Sequence, residues 1–179
     1  NLTENASDEN DFLINEAINT AFAKKGPVHI NAPFEEPLYE TLSGPTYFPK
    51  TAVSNVEKSV FNLDAKFVSE WQSAKKKLIL VGELLPNSIE QKYIEFLAQD
   101  ESVLVLLEKT SNLHHPSFID RIDTLVTTFS EEDKLSFQPD ILLTFGGMVV
   151  SKRIKALLRS YQPKQHWHVD ELRAYNTFG

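Results

Sequence analysis

The sequence contains no cysteine. This absence excludes disulfide bonds, thiolate zinc sites and a cysteine nucleophile, and it fits a reducing compartment. The sequence also lacks a signal peptide and any apolar run of the roughly 18 residues needed to cross a bilayer. We therefore expect a soluble, cytoplasmic protein with no membrane span.

Basic residues are in the minority, and no tract of them occurs. There are 18 Lys and Arg against 25 Asp and Glu, so the net charge is −7. An acidic chain of this kind is a poor candidate for binding nucleic acid. The common catalytic signatures Gly-x-Ser-x-Gly, HExxH and GxxxxGK[ST] are missing as well. The sequence thus offers no convincing catalytic group of its own.

Metal and dinucleotide sites are also disfavoured. Gly82 follows a predicted strand but opens no G-x-G-x-x-G motif, which argues against bound NAD or FAD although the fold would be compatible with one. His114 and His115 are adjacent, and no third ligand has a suitable spacing, so we predict no metal site. His166 and His168 share one face of a strand, either as a ligand pair or as half-buried residues beside Trp167.

The second part of the chain alternates between apolar strands and amphipathic helices. Such alternation predicts an α/β fold with a doubly wound, mostly parallel, Rossmann-like sheet and right-handed crossovers. The predicted strands are 77–81, 102–107, 140–145 and 165–169, and the predicted helices are 64–73, 87–99, 116–125 and a short one capped by Ser130.

The first part of the chain has a different organisation. Residues 1–9 are polar and expected to be frayed, 10–25 carry a helical apolar stripe, and 27–31 read as a short strand. The proline-rich run 32–56 has no sustained periodicity, which is uncommon inside a compact domain. We therefore predict that 1–31 is the end of another α/β domain, 32–56 an interdomain linker and 57–179 a central Rossmann-like domain.

The best candidate site lies between the third strand and the helix that follows it. Glycines 146 and 147 end the strand, and the Ser151 hydroxyl is placed to cap the helix. Lys152 and Arg153 fall in the first helical turn, where the helix dipole disfavours cations. A basic pair in this position either holds an anion, such as a carboxylate or phosphate, or is simply solvated at the surface.

Several of these segments resemble one family of enzymes. Residues 26–34, GPVHINAPF, and 36–38, EPL, resemble the end of the pyrimidine-binding domain of thiamine-diphosphate enzymes. Residues 145–147, FGG, lead to 151–153, SKR, and are followed by Trp167, Val169 and Asp170, as in a middle domain of the same class. Together they are similar to the 2-succinyl-5-enolpyruvyl-6-hydroxy-3-cyclohexene-1-carboxylate synthases of menaquinone synthesis.

The resemblance implies that the chain is part of a larger enzyme. Such a synthase decarboxylates 2-oxoglutarate and adds the resulting succinyl-semialdehyde carbanion equivalent to isochorismate. Thiamine diphosphate and Mg²⁺ would be held between the first and third domains, outside this chain, so we expect no cofactor in the fragment and no activity from it alone. The family also implies missing pyrimidine- and diphosphate-binding domains and a homodimer or homotetramer.

For the basic pair, the resemblance implies a role in substrate binding. Lys152 and Arg153, with Ser151 beside them, would contact carboxylate groups of substrate from the central domain. Two alternatives remain: the central domain of an acetolactate-synthase-like enzyme that binds FAD, and a non-enzymatic Rossmann-like nucleotide-binding module.

Overall fold

The computed structural model describes residues 4–33, 43–45, 47–53, 62–170 and 177–178. The chain divides into two compact units, Asn1–Phe61 and Asn62–Gly179. Among the residues described, no helix is both long enough and apolar enough to span a membrane.

The first unit is built on one long helix, α1 (Glu4–Lys24). It begins well before residue 10, so the prediction that residues 1–9 are frayed is wrong from Glu4 onward. The helix ends at Lys24, one residue before the predicted end, and Lys25 follows with a left-handed backbone at φ 47°. Asp11, Asn15 and Asn19, four residues apart on α1, hydrogen-bond the backbone of residues 50–52, which fixes that segment along the helix.

The predicted strand at 27–31 is not formed. Residues 27–33 are described without any regular secondary structure. A strand needs a hydrogen-bonding neighbour, and no strand exists in the described parts of the first unit. The predicted linker 32–56 falls partly outside the described residues, as do the resembling residues 34 and 36–38.

The second unit contains a four-stranded parallel sheet, as the alternating pattern predicted. Its strands are β1 (Lys77–Val81), β2 (Val103–Leu107), β3 (Ile141–Phe145) and β4 (Gln165–Val169). Their spatial order is β2-β1-β3-β4, and every pairing is parallel. All five residues of β1 are buried, because strands and helices surround it on both sides.

Helices cover both faces of this sheet. They are α2 (Ala65–Ser73), α3 (Gln91–Ala98), α4 (Ile122–Thr127), α5 (Glu131–Phe137) and α6 (Lys152–Ser160). On one face, Leu78 and Leu80 pack with Ile154 and Leu158 of α6 and with residues of α4. On the other, Ile79 and Val81 pack with α3 and with Trp71 of α2. The result is a three-layer α/β unit with two apolar cores.

Two helix predictions need correction. The helix expected at 116–125 begins only at Ile122, because Ile119 instead exchanges hydrogen bonds with β2: its N–H lies 2.9 Å from the Val105 oxygen, and its oxygen accepts from Leu107. The helix expected at 87–99 covers only Gln91–Ala98. In α2, Phe67 and Val68 are 39% and 42% exposed, and the Phe67 ring lies edge-on to that of Trp167 in β4, with the ring centroids 5.2 Å apart.

Candidate functional site at the carboxyl edge of the sheet

The order of the strands reverses between β1 and β3, and the loops after these two strands contact each other. Gly82 N–H donates to the Phe145 oxygen at 2.9 Å, and Gly147 N–H donates to the Glu83 oxygen at 2.7 Å. A Cβ added at Gly82 would lie 2.2 Å from the Gly147 oxygen. Ligands of such sheets usually bind in this crevice, and here the backbones of the two loops meet within it.

The loop after β3 leads into α6, and the predicted cap is confirmed. Ser151 Oγ accepts from the Ile154 N–H at 3.1 Å, and Ser151 is buried. The same hydroxyl donates to Asp123 of α4. Both hydrogen-bonding functions of Ser151 are therefore used inside the protein.

A second carboxylate holds the same turn of the chain. Glu108, directly after β2, accepts hydrogen bonds at Oε1 from the N–H groups of Val150 and Ser151, both at 2.8 Å. The loop is also fixed by Lys155, whose Nζ donates to the Val149 oxygen at 3.0 Å. The start of α6 is thus occupied by the protein's own anionic groups, which suit the positive end of a helix dipole.

Lys152 and Arg153 lie in the first turn of α6, at the carboxyl edge of the sheet, as predicted. Both are exposed. Neither side chain makes a hydrogen bond or an ion pair with another residue in the described part of the chain. The two cations are therefore available to a group outside that part.

Apolar side chains share this edge with the basic pair. Leu85 follows β1, and Met148 and Val150 follow β3; they are 79%, 71% and 57% exposed. An edge that presents two cations beside uncovered apolar side chains fits an organic acid or the surface of another domain better than bulk water alone.

The two histidines of β4 share one face, as predicted, and both contact β3. Thr144 Oγ1 lies 2.9 Å from His166 Nε2 and 2.8 Å from His168 Nδ1. Burial, with a smaller contribution from His168, lowers the pKa of His166 below its ordinary value. No group of three or more His, Asp or Glu side chains that could hold a metal ion occurs in the described ranges.

Glu108 and Asp123 were missed from the sequence, although one signal was available for Glu108. It comes immediately after the predicted strand 102–107, and the carboxyl ends of parallel strands meet at one edge. Its contact with residues 150 and 151 could have been considered on that basis. Asp123 lies inside a helix whose start was misplaced, so its position relative to Ser151 could not be inferred.

Comparison with known proteins identifies the family. Residues 50–175 match the protein family described as the middle domain of thiamine pyrophosphate. The chain belongs to this family. The four-stranded parallel sheet and the flanking helices described above form an α/β fold that is consistent with such a middle domain, as the sequence predicted.

The middle domain and the residues before it are also similar to curated proteins over almost the whole chain. The identity is 58% with the 2-succinyl-5-enolpyruvyl-6-hydroxy-3-cyclohexene-1-carboxylate synthase of Flavobacterium psychrophilum, over 100% of this chain and 32% of that protein. It is 55% with the synthase of the same name from Flavobacterium johnsoniae, over 99% and 33%. For that of Christiangramia forsetii it is 45%, over 97% and 31%. The predicted resemblance is confirmed, and the chain spans about a third of the length of these relatives.

Proposed function

We propose that this chain is part of a thiamine-diphosphate-dependent synthase that decarboxylates 2-oxoglutarate and adds the succinyl-semialdehyde unit to isochorismate in menaquinone synthesis. The observation that carries the proposal is the 58% identity over the whole chain with a synthase of that name. The reaction joins two carbon skeletons, so the parent enzyme is a transferase. With only a third of the relatives' length, the fragment alone is expected to be inactive.

In this proposal the middle domain supplies a carboxylate contact through Lys152 and Arg153. Both substrates carry carboxylates, and both cations are exposed at the edge where ligands of parallel sheets bind. Arginine can grip a carboxylate with two parallel hydrogen bonds, whereas lysine acts as a point charge. Ser151, with its hydroxyl engaged internally, contributes by holding the start of α6.

Thiamine diphosphate would be held, with Mg²⁺, by parts of the enzyme outside this chain. When bound, it supplies the carbon centre that stabilises negative charge after decarboxylation. The residues of this chain are assigned only substrate orientation and support. The contact between Gly82 and Gly147 supports this assignment over an FAD- or nucleotide-binding alternative, because it places backbone in the crevice that a dinucleotide would enter.

The same proposal extends to the rest of the protein and its assembly. Residues 1–31 would end the pyrimidine-binding domain, 32–56 would link it to the central domain at 57–179, and the enzyme would be a cytoplasmic homodimer or homotetramer. Support comes from α1, whose apolar residues Leu13, Ile14 and Ile18 are 51%, 42% and 45% exposed. We infer that missing domains cover this stripe.

The test uses the intact parent protein with thiamine diphosphate, Mg²⁺, 2-oxoglutarate and isochorismate. Wild type should form the adduct. Lys152→Ala should lower kcat/KM for isochorismate roughly ten- to a hundredfold, because a charged contact to a carboxylate is removed. This decrease corresponds to a loss of about 1.5–3 kcal/mol. Arg153→Ala should act in the same direction.

Lys75→Ala is the matched control, since Lys75 is an exposed lysine just before β1, at the opposite edge of the sheet. It should leave kcat/KM unchanged. Absence of product from wild type would refute the synthase assignment. Full activity in both basic-pair variants would refute the carboxylate contact alone and return the two residues to the solvated surface.

A further inference from the structure

Glu108 has a rigid backbone at the end of β2. Its N–H donates to the Val81 oxygen of β1 at 3.0 Å, and its own oxygen accepts from Ser111 at 3.0 Å in a single 3₁₀ turn. The side chain is half-buried. The side chain is therefore held at a defined place on the carboxyl edge, and β1 lies between it and β3.

The Glu108 carboxylate reaches across the end of β1 and binds the chain just before α6. The N–H groups of Val150 and Ser151 both lie 2.8 Å from Oε1. Free N–H groups at the start of a helix are the ones that would bind a phosphate or carboxylate ligand. Glu108 holds the two N–H groups just before the helix, so an incoming carboxylate would meet the side chains that follow, Lys152 and Arg153, together with the backbone N–H groups of these two residues.

The geometry of these side chains depends on the turn that carries them. Residues 150 and 151 immediately precede the basic pair, so their orientation sets the direction in which the first turn of α6 projects its cations. The negative charge of Glu108 also favours this arrangement. Two cations near a helix N-terminus are unfavourable, and a carboxylate bound to the preceding N–H groups offsets this.

We propose that Glu108 is a positioning residue for substrate binding, which fixes the 150–151 turn so that Lys152 and Arg153 meet the substrate carboxylate. This inference rests on the proposed function of the basic pair. It adds a residue at the end of a different strand, 44 positions before Lys152 in the sequence. In this proposal Glu108 does not itself touch the substrate.

The experiment compares Glu108→Ala, Glu108→Gln and a control in the intact enzyme with its cofactors. Glu108→Ala should raise KM for isochorismate roughly tenfold, since small misplacements of binding groups are costly. It should also speed amide hydrogen exchange at residues 150 and 151. Glu108→Gln keeps an oxygen that can accept from both N–H groups, so it should restore most of both losses.

Glu101→Gln is the matched control. Glu101 is an exposed acid just before β2, at the amino edge, so the variant removes the same charge far from the turn. It should change neither KM nor exchange. Folding of Glu108→Ala is supported by the remaining anchors of the loop, the Asp123 contact with Ser151 and the Lys155 contact with Val149.

A combined variant separates positioning from general damage. If Glu108 acts through the basic pair, Glu108→Ala should have little further effect on KM in a background that carries both Lys152→Ala and Arg153→Ala, because the contacts it orients are already gone. Fully multiplicative losses, or an unchanged KM in Glu108→Ala, would overturn the inference while the basic pair keeps its role. Unchanged KM in Lys152→Ala and Arg153→Ala would overturn the proposed function of the pair, and this inference with it.

Discussion

At both edges of the sheet a carboxylate binds two backbone N–H groups, but the surroundings of the two carboxylates differ. At the amino edge, Asp140 Oδ2 accepts from the N–H groups of Lys75 and Lys76 at 2.9 and 3.0 Å. At the carboxyl edge, Glu108 does the same for Val150 and Ser151. In both places one carboxylate oxygen holds two successive backbone N–H groups.

The edges differ in what happens to the cations beside each carboxylate. At the amino edge, Lys76 Nζ donates to the Ser136 oxygen, Lys77 Nζ to Asp100 and Ser102, and Lys164 pairs with Asp140 at 2.7 Å. At the carboxyl edge, Lys152 and Arg153 have no such partners within the described ranges. At the amino edge the side chains of Lys76, Lys77 and Lys164 are thus engaged, although that of Lys75 is exposed, whereas at the carboxyl edge both cations are exposed. This contrast is consistent with the binding role proposed for the carboxyl edge.

The largest expected effect comes from breaking the carboxyl edge at its glycine contact. Gly82→Ala places a Cβ 2.2 Å from the Gly147 oxygen, so one of the two loops must move. We expect a loss of about 3 kcal/mol or more in the free energy of unfolding. Urea unfolding of the intact parent protein measures it. Gly44→Ala, where the added Cβ meets nothing within 4 Å, is the control and should change stability by less than about 0.5 kcal/mol.

A comparison of two lysines sharpens the contrast between the edges. Lys77 is buried, with Nζ 3.1 Å from Asp100 Oδ2 and 2.7 Å from Ser102 Oγ. Lys77→Ala should cost about 2–3 kcal/mol of stability, because it leaves polar groups without their partner and removes a packed stem. Lys152→Ala should lower the free energy of unfolding by less than about 0.5 kcal/mol in the same assay. Of the two variants, only Lys152→Ala should reduce kcat/KM through the loss of a substrate contact. Equal stability losses in the two variants would contradict the distinction.

The smallest effect concerns the pH dependence at the amino edge. The hydrogen bond from Lys164, with those from the Lys76 and Lys75 N–H groups, lowers the pKa of Asp140 from 3.8 to about 2. A carboxyl whose pKa is lowered by folding stabilises the folded state above its unfolded pKa, and this stability is lost as the pH falls from about 4 to about 2. Asp140→Asn should therefore be roughly 1 kcal/mol less stable than wild type at pH 7.

The difference between the two proteins should shrink as the pH falls from about 4 towards 2, because the carboxyl of the unfolded chain becomes protonated first and that of the folded chain only near pH 2. Unfolding midpoints at pH 7, 4 and 2.5 measure this. A constant difference across that range would show that the carboxylate charge contributes nothing, and that only the shape of the side chain matters.

Local sequence signals predicted the strands and caps of the second unit correctly. β1 has the predicted bounds, and Ser130 and Ser151 cap their helices as expected, because apolar runs and capping residues act over a few positions. The start of α4 was wrong because Ile119 gains hydrogen bonds from β2, a partner distant in sequence. The strand at 27–31 failed for the converse reason, since no described residue pairs with it.

The candidate site was predicted only in part for the same reason. Lys152 and Arg153 could be placed at the carboxyl edge because strand, turn and helix are adjacent in sequence. Their role in binding stays a prediction. The carboxylates that hold their turn, Glu108 and Asp123, come from two other elements, and only the folded chain brings them to Ser151.

The Thr144 hydroxyl links the protonation patterns of two imidazole rings. It has one hydrogen, so when it donates to one of His166 and His168 it must accept an N–H from the other, although its hydrogen can also go to the Trp167 oxygen at 3.5 Å. While the hydroxyl bridges the two rings, the tautomer of one neutral ring therefore dictates that of its neighbour. When His168 accepts at Nδ1, its remaining proton sits on the buried Nε2, 4.0 Å from the Asp170 carboxylate. A change of tautomer in either ring would then reverse the direction of both hydrogen bonds that join Thr144 of β3 to the histidines of β4.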